Sequence, residues 1–255
     1  MSSAAFNALS FLLPQGEKYF IDVAKEVSQT ADFSGNPGLK QEVELFISQE
    51  SIHAKQHRAY NANLEKQGYE NVVYGLLEFL INFSYRHMSP LTRLAIVCGY
   101  EHYTAILGDF ILSKPQILAK AESEMALMWG WHAAEESEHK SVCFDLYKLC
   151  GGGWLRRIAA FTLVSLQFLY LFYRLFWHML YRDGSLAMTR LPQTLKQIVK
   201  FFFGRDGVNW HIYKFTMDYY KPGFHPDNLD NDRLLETWLE RNHERLDILD
   251  TRQVS

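Results

Sequence analysis

The chain has 255 residues, of which 48% are hydrophobic, so it can bury a large core without needing disulfides or a structural metal to fold. Its net charge of -3 and pI near 6.4 argue against a nucleic-acid binder, because such proteins normally carry a basic face. Three cysteines without C-x-x-C spacing, Cys98, Cys143 and Cys150, predict free thiols in a cytoplasmic protein. The first residues lack the features of an export signal and are expected to form a short arm.

Apolar residues recur at helical spacing along nearly the whole chain, and alternating runs bounded by hairpin turns do not occur. This pattern predicts an all-α fold. An apolar crossover segment at 69–88 separates two predicted helices from two more, which is the order of a ferritin-like four-helix bundle. The four bundle helices are predicted at 15–29, 39–67, 89–113 and 115–150.

Beyond three consecutive glycines at 151–153, the chain becomes rich in aromatic residues. Segment 158–181 is long enough to span a membrane, but Gln167, Arg174 and His178 favour a helix that is buried or lies at a membrane surface. It would wall a lipid-like pocket or contact a membrane peripherally, with an ordinary core helix as the alternative. A basic, aromatic stretch at 196–203, an aromatic segment at 210–220 and a polar amphipathic helix at about 231–249 follow. We therefore predict a metal-binding bundle at 1–150 and a C-terminal helical extension, packed on it, at 151–255.

Two of the predicted bundle helices each contain a Glu-x-x-His motif. A step of three residues, at about 100° per residue, leaves both side chains on one face of a helix, where they can bind the same metal or neighbouring metals. One further histidine extends each face, seven residues away from one member of the motif. Imidazole and carboxylate ligands together suit iron, manganese or zinc better than magnesium or calcium. The motifs are Glu50 with His53 and Glu136 with His139, and the added histidines are His57 and His132.

The other two bundle helices each place one glutamate on an apolar stripe. Glu17 lies on the stripe that contains Phe20 and Ile21, and Glu101 interrupts the stripe of Val97 and Cys98. Burying an unpaired ionised carboxylate is very costly, and a metal cation removes that cost. Because a dinuclear site in such a bundle takes one carboxylate from each of these helices, both glutamates are predicted ligands.

Some assignments remain open from the sequence. Glu135 and Glu138 could replace Glu136 or be solvated, and only the three-residue step to His139 favours Glu136. His57 and His132 could each be an added nitrogen ligand, an acid or base next to the ligands, or a core histidine, so we predict both as ligands and as catalytic candidates. Five other histidines lack ligand spacing and are expected to be structural or exposed, namely His87, His102, His178, His211 and His243.

The sequence also resembles a family of bacterial proteins known as predicted metal-dependent hydrolases. The resembling stretches are LLPQGEKYF at 12–20, FISQESIHAKQHRAYN at 46–61, YEHYTA at 100–105, WGWHAAEESEHKSVCFD at 129–145 and YYKPGFHP at 219–226. The resemblance implies a ferritin-like helical fold and hydrolase activity. It also implies a metal site at Glu17, Glu50, His53, His57, Glu101, His132, Glu136 and His139.

Together these features predict an enzyme with two divalent metal ions, iron in the first place and manganese or zinc as alternatives. The Glu-x-x-His pairs favour a di-iron oxidase or oxygenase that acts on a small apolar or lipid-like substrate. A hydrolase that uses a metal-activated water is the alternative, and a non-catalytic metal-binding protein is the second alternative. The sequence has neither a G-x-S-x-G nor an H-E-x-x-H motif. We expect no nucleic-acid partner, a location in the cytoplasm or at the inner face of the membrane, and peripheral contact through 158–181, while the oligomeric state stays open.

Overall fold

In this computed structural model, the backbone is described for residues 1–205 and 207–253, and the side chains of the same residues are described up to 245. The described residues form helices and no β-strand, so the predicted all-α class is confirmed. The helices are α1 (Ser2–Ser28), α2 (Pro37–Lys66), α3 (Tyr74–His87), α4 (Pro90–Ser113), α5 (Ser123–Glu138), α6 (Val142–Leu149), α7 (Trp154–Arg182), α8 (Leu191–Phe203), α9 (Val208–Tyr219) and α10 (Asp232–Gln253).

Helices α1, α2, α4 and the consecutive pair α5 and α6 form the central bundle. Helix α1 packs along α2, α4 packs along α5, and further contacts join α1 to α4 and α2 to both α5 and α6. Helix α3 lies in the long connection between α2 and α4 and packs against α1. This arrangement is compatible with the predicted ferritin-like order, and it turns one face of each of four chain segments toward a common centre.

The first helix begins at Ser2, so the predicted start at residue 15 and the predicted N-terminal arm are both wrong. Pro14 lies inside α1, although proline has no N–H to give to the carbonyl four residues earlier, which belongs to Ser10. The side-chain amide of Asn61 on α2 donates to that carbonyl at 2.8 Å. A neighbouring helix thus supplies the hydrogen bond that proline removes, and α1 continues through it.

The predicted single helix at 115–150 is interrupted. A short 3-10 helix at Pro115–Ile117 precedes α5, and the chain leaves helical geometry at His139, where φ is -102° and ψ is 15°, before α6 begins. At this break the buried ammonium of Lys140 donates to the Leu229 carbonyl and to Asn231 Oδ1, both at 2.7 Å. These partners come from far along the chain, so the local apolar pattern contains no sign of them.

The helices after residue 150 pack on the bundle. Helix α7 packs against α1 and α4, α9 against α4, and α10 against α5 and α4. The buried guanidinium of Arg157 on α7 donates to the carbonyls of Tyr219, Lys221 and Phe224, which fastens the segment after α9 to α7. Predicted segments 196–203, 210–220 and 231–249 coincide with α8, α9 and α10, although the side chains of 246–249 lie outside the described residues. The division of the chain at residue 150 stays a prediction.

Helix α7 has two different faces. One face, which includes Phe161, Val164 and Leu175, is fully buried in the core. The opposite face is open, with Leu166 65% and Tyr170 60% exposed. By length and composition α7 is the one helix of the described part of the chain that could cross a membrane, and 33% of its most apolar window is buried.

We expect Asn61→Ala to destabilise the protein by about 1–3 kcal/mol, because it leaves the carbonyl of Ser10 buried without its donor. Urea unfolding of chelator-treated protein measures the change without a contribution from bound metal. Asn63→Ala, an exposed position on the same helix, is the matched control and should change stability by less than about 0.5 kcal/mol. Equal effects of the two substitutions would contradict this account of the proline-containing helix.

Candidate metal centre

All eight predicted site residues lie in the interior of the bundle, and none is more than 5% exposed. They come from four segments that approach one another in the fold, so residues separated by up to about 120 positions in sequence lie close together. Helix α1 provides Glu17, α2 provides Glu50, His53 and His57, α4 provides Glu101, and α5 with its C-cap provides His132, Glu136 and His139.

The first group of possible metal donors consists of both Glu-x-x-His pairs. One side-chain donor atom from each of Glu50, His53, Glu136 and His139 lies within 4.8 Å of all the others. Glu50 Oε1 stands between two imidazoles, 3.4 Å from His53 Nδ1 and 3.5 Å from His139 Nε2. The three-residue spacing read from the sequence therefore brings the two motifs face to face across the bundle.

The second group adjoins the first. Donor atoms of Glu17, His53 and His132 also lie within 4.8 Å of one another, so His53 belongs to both groups. Glu136 Oε1 is 3.3 Å from His132 Nε2 and 3.7 Å from His53 Nδ1, which connects the groups a second time. The structure thus contains two adjoining donor groups, each with the composition of a possible metal site.

Glu101 lies at the edge of these groups. Its Oε2 is 3.2 Å from His139 Nδ1, while its Oε1 has no hydrogen-bond partner among the described residues. If His139 donates its Nδ1–H to Glu101, the lone pair of Nε2 is directed toward Glu50. Glu101 can therefore orient His139, bind a cation through Oε1, or do both.

A chain of hydrogen bonds behind the donors involves two residues that the sequence did not single out, Ser10 and Asn61. Ser10 Oγ donates to Asn61 Oδ1 at 2.7 Å, so it can only accept from His57 Nδ1, which lies 2.9 Å away. His57 Nε2 then carries the lone pair and faces His132 Nδ1 at 3.4 Å. This order leaves the Nε2 lone pair of His132 facing Glu136. No local pattern marks Ser10 or Asn61, because their role depends on the packing of α1 against α2.

Glu135 also supports the donor set from outside it. Its Oε2 is 2.9 Å from His53 Nε2, and because a carboxylate only accepts, His53 donates there and keeps its Nδ1 lone pair for the cluster. The indole N–H of Trp131 donates to Glu135 Oε1 at 3.0 Å and holds the carboxylate in place. Carboxylates of this kind orient metal-binding histidines in many proteins. The sequence left both Glu135 and Glu138 open as replacements for Glu136 or as solvated residues. In the structure Glu135 accepts from His53, and Glu138 accepts a hydrogen bond from Gln49.

Burial of several acids together shifts their titration. Burial and the neighbouring Glu50 raise the pKa values of Glu17 and Glu101 well above the usual range. Burial, then Glu101 and Glu50, raises the pKa of Glu136 to about 8. In the absence of a cation, the folded chain therefore holds a proton on Glu136 at neutral pH, and Glu17 and Glu101 release their protons at a higher pH than an exposed glutamate does.

Histidines of the same cluster are shifted in both directions. Burial and the proximity of His53 lower the pKa of His57 to about 3 and that of His132 well below its usual value. Burial also lowers the pKa of His53, but the hydrogen bond with Glu135 and the nearby carboxylate of Glu50 outweigh this, so its pKa is raised overall. His57 and His132 are therefore neutral imidazoles, the form in which histidine binds metals.

The unpartnered atoms of the cluster match a cation. Both carboxylate oxygens of Glu17 and of Glu50 lack a hydrogen-bond partner within the described chain, although buried polar groups are nearly always paired. The same holds for one atom each of Glu101, Glu136, His53 and His139. Carboxylate oxygens and imidazole lone pairs are acceptors only, so a positive ion satisfies all of them at once. The donor set therefore fits a transition-metal ion.

Three other histidines form local contacts away from both donor groups. His102 contacts the Phe215 carbonyl at 3.1 Å, and His211 pairs with Asp109 at 2.7 Å. His225, which lies in the last of the resembling stretches, pairs with Asp145 at 2.8 Å. These contacts attach the C-terminal helices and the segment after α9 to the bundle.

A family model described as predicted metal-dependent hydrolase matches residues 1–230 of the chain. That range contains α1 to α9 and every residue of the two donor groups. No curated protein and no solved structure is significantly similar to the chain.

We expect the stability of chelator-treated protein to fall as the pH rises from 6.5 to 8. The folded chain retains the proton of Glu136 up to a pKa of about 8, whereas the unfolded chain loses it near 4.5. Stability decreases with pH wherever the folded state binds more protons, by up to about 1.4 kcal/mol per pH unit for each such group. The raised pKa values of Glu17, Glu101 and His53 act in the same direction.

Lowered pKa values of His57 and His132 have the opposite effect, but only below the ordinary histidine value of 6.5, which is why the window begins there. Urea unfolding at the two pH values gives the change. Protein reloaded with Zn²⁺ or Mn²⁺ is the control. Its stability should not fall between these pH values, because bound cations replace the protons. A flat or rising stability in the chelated protein would contradict the description of the cluster.

Proposed function

The chain belongs to the family of predicted metal-dependent hydrolases, and from this premise we propose that it is a hydrolase whose buried glutamates and histidines hold two divalent metal ions. The observation that carries the proposal is the set of buried carboxylate oxygens and imidazole nitrogens that have no partner within the described chain. The adjoining donor groups support two ions in preference to one, because His53 belongs to both and Glu136 contacts both.

The charge of the cluster also supports two metal ions. Four buried glutamates, when ionised, carry four negative charges, which two divalent ions neutralise. The charged partners that these acids have within 4 Å, in the part of the chain described, are histidines. We assign as ligands the members of both donor groups together with Glu101. These are Glu17, Glu50, His53, Glu101, His132, Glu136 and His139.

We propose that His57 is a positioning residue and not a ligand. Both of its ring nitrogens have partners in the protein, Ser10 and His132. Through its Nε2 it fixes the ring of His132 so that Nε2 of His132 faces Glu136. Glu135 does the same for His53 from the opposite side. The two supports hold the donors rigidly before any ion binds, which favours tight binding.

A pair of divalent ions held here would supply an acidified water molecule and would polarise a carbonyl or phosphoryl oxygen of a substrate. The protein supplies the surroundings for that chemistry. Glu17 and His132 also line a large apolar cavity, so a substrate in the cavity approaches the donors from their side. The remaining walls of the cavity are mainly hydrocarbon and aromatic, which excludes bulk water from the centre.

An oxidase or oxygenase with two iron ions is the second candidate. The observation that favours it is the pairing of two Glu-x-x-His motifs with glutamates from two further helices, the ligand pattern of di-iron carboxylate bundles. An apolar cavity beside the donors also serves a reactive oxidant. The family description favours hydrolysis, so hydrolysis is our main proposal, and a protein that only binds metal ranks third.

Anaerobic assays separate these functions. We expect protein reloaded with Zn²⁺ or Mn²⁺ under nitrogen to hydrolyse p-nitrophenyl esters, because hydrolysis needs no oxidant. Protein loaded with Fe²⁺ and exposed to air, with an oxygen electrode recording consumption, is the parallel assay. Hydrolysis that is lost under nitrogen, or dioxygen uptake with no ester cleavage under either condition, would contradict the hydrolase.

Metal content tests the ligands directly. We expect Glu50→Ala and His139→Ala each to weaken the affinity for metal at least about tenfold, since each removes a donor of the first group. Elemental analysis after dialysis measures the metal that each variant retains. Glu44→Ala, an exposed position on the same helix as Glu50, and His87→Ala, an exposed histidine, are the matched controls. Circular dichroism verifies that each variant is folded. Wild-type stoichiometry in both site variants would reject the assignment.

We propose further that the open face of α7 touches the inner surface of a cell membrane without crossing it. The exposed Leu166 and Tyr170 provide an apolar surface for the headgroup region. Three exposed arginines, Arg156, Arg174 and Arg182, and no acidic residue occur in this helix, which complements anionic lipids. The fully buried opposite face supports a peripheral position over a spanning one.

Sedimentation with lipid vesicles tests this contact. We expect the protein to bind vesicles that contain phosphatidylglycerol more strongly than vesicles of phosphatidylcholine alone, because of the arginines. The double variant Leu166→Glu with Tyr170→Glu should abolish binding, whereas Leu45→Glu, at an equally exposed leucine on α2, should not. Equal binding of the double variant and the wild type would refute the contact.

A further inference from the structure

We infer that the apolar cavity beside the donors is the binding site for a single unbranched aliphatic chain of the substrate, as in a fatty-acyl ester. The inference rests on the proposed function in one respect only, namely that the metal centre cleaves the head group from the aliphatic chain. The occupancy of the cavity by a hydrocarbon chain is a separate claim, because it follows from the shape and chemistry of the walls.

The cavity has a volume of about 190 Å³ and is lined by five helices, α1, α3, α4, α5 and α7. One end reaches Glu17 and His132, which belong to the second donor group. From there the walls consist of leucine, isoleucine and aromatic side chains of α1, α3, α4 and α7, such as Leu12, Ile81 and Phe168. Hydrocarbon walls of this kind bind hydrocarbon, since each buried methylene strengthens binding by roughly fourfold.

The mouth of the cavity lies between α3 and α7. Of the residues that line the cavity, Phe83 on α3 and Leu163 on α7 are both well exposed, at 44% and 45%. Helix α3 is attached loosely, since Leu77 and Ser84 are its only buried residues. A chain that enters between these two helices passes along α1 and reaches the donors at the inner end.

A second cavity adjoins the first. It has a volume of about 60 Å³ and shares four wall residues with the larger cavity, including Leu107 and Phe168. Its remaining walls, which come from α1, α4, α7, α8 and α9, are also almost entirely apolar. Two adjoining apolar spaces suit a long, narrow ligand better than a compact one.

The polar groups of the walls point to a ligand with little polarity. The hydroxyl of Tyr103 donates to Ser165, and that of Thr104 donates to the Glu101 carbonyl. The hydroxyl of Ser84 donates to the Ile81 carbonyl or to Tyr19, so all three groups already have partners. The Tyr100 hydroxyl and the Trp129 indole N–H, both buried, have no partner within the described chain, and each can meet one oxygen of a head group. A sugar, nucleotide or peptide would bring many polar groups that these walls cannot pair.

Binding of 1-decanol to chelator-treated protein, measured by titration calorimetry, tests the cavity without metal or catalysis. The alcohol is neutral, so the charge of the glutamates does not enter. We expect saturable binding by the wild type. Gly16→Leu should weaken it at least about tenfold, because a Cβ at residue 16 meets only Phe20, at 3.8 Å, and the larger side chain then occupies the cavity. Gly75→Leu, the same change at a helical glycine with open space around it, should bind like the wild type.

A second pair of variants keeps the test independent of Gly16. Leu163→Trp narrows the mouth and should weaken decanol binding, whereas Leu155→Trp, at an exposed leucine of α7 that does not line the cavity, should not. Absence of saturable binding by the wild type would overturn the inference. So would binding that is unchanged in both Gly16→Leu and Leu163→Trp.

Hydrolysis of p-nitrophenyl acetate and p-nitrophenyl decanoate by the metal-loaded protein distinguishes the two claims. We expect kcat/KM to be at least about tenfold higher for decanoate, and the advantage to be lost in Gly16→Leu. Equal rates for both esters, with no decanol binding, would reject the aliphatic-chain site and leave the hydrolase standing. Decanol binding that the cavity variants abolish, with no ester cleaved, would reject the hydrolase and leave the chain site standing.

Discussion

The burial of four carboxylates in one bundle is the constraint on which the rest of the structure depends. Ionised carboxylates in an apolar interior are tolerated only when cations or donors compensate them, and here the neighbouring histidines supply few of the required contacts. The fold must either keep the acids protonated or hold metal between them. Because the imidazoles present lone pairs toward the same centre, one kind of group, a metal ion, can bind the acids and the histidines together. The family to which the chain belongs is described by the same dependence on metal.

The support of the donors links the fold to the site. Pro14 leaves the Ser10 carbonyl without its helical donor, and Asn61 donates to that carbonyl instead. The Ser10 hydroxyl in turn accepts a hydrogen bond from His57. An irregularity of α1 is thus the first step of a hydrogen-bond chain that ends at His132. The same helix carries Glu17 and, beside it, the apolar wall of the cavity. Metal donors and hydrocarbon surface therefore share one rigid element, which fixes the position of a substrate chain relative to the proposed metal ions.

Much of this could be predicted from the sequence, since helix type and the inward face of each helix follow from local periodicity. The residues Glu17, Glu50, Glu101 and Glu136 were selected on that basis, and all four are buried in one cluster. Periodicity did not reveal the break at His139, because Lys140 is fastened to residues about 90 positions away. Nor did it reveal the roles of Ser10, Asn61 and Glu135, which depend on contacts between helices. Whether the ions are iron, zinc or manganese depends on energies that the ligand types alone do not determine.

Anomalous X-ray diffraction from crystals of the metal-loaded protein, recorded on both sides of the absorption edge of the loaded metal, tests the central claim most directly. The account predicts two neighbouring anomalous peaks inside the bundle, one beside Glu50 and His139 and the other beside Glu17 and His132, with His53 next to both. Peaks only on the surface of the protein, or none between these helices in crystals grown with saturating metal, would contradict it.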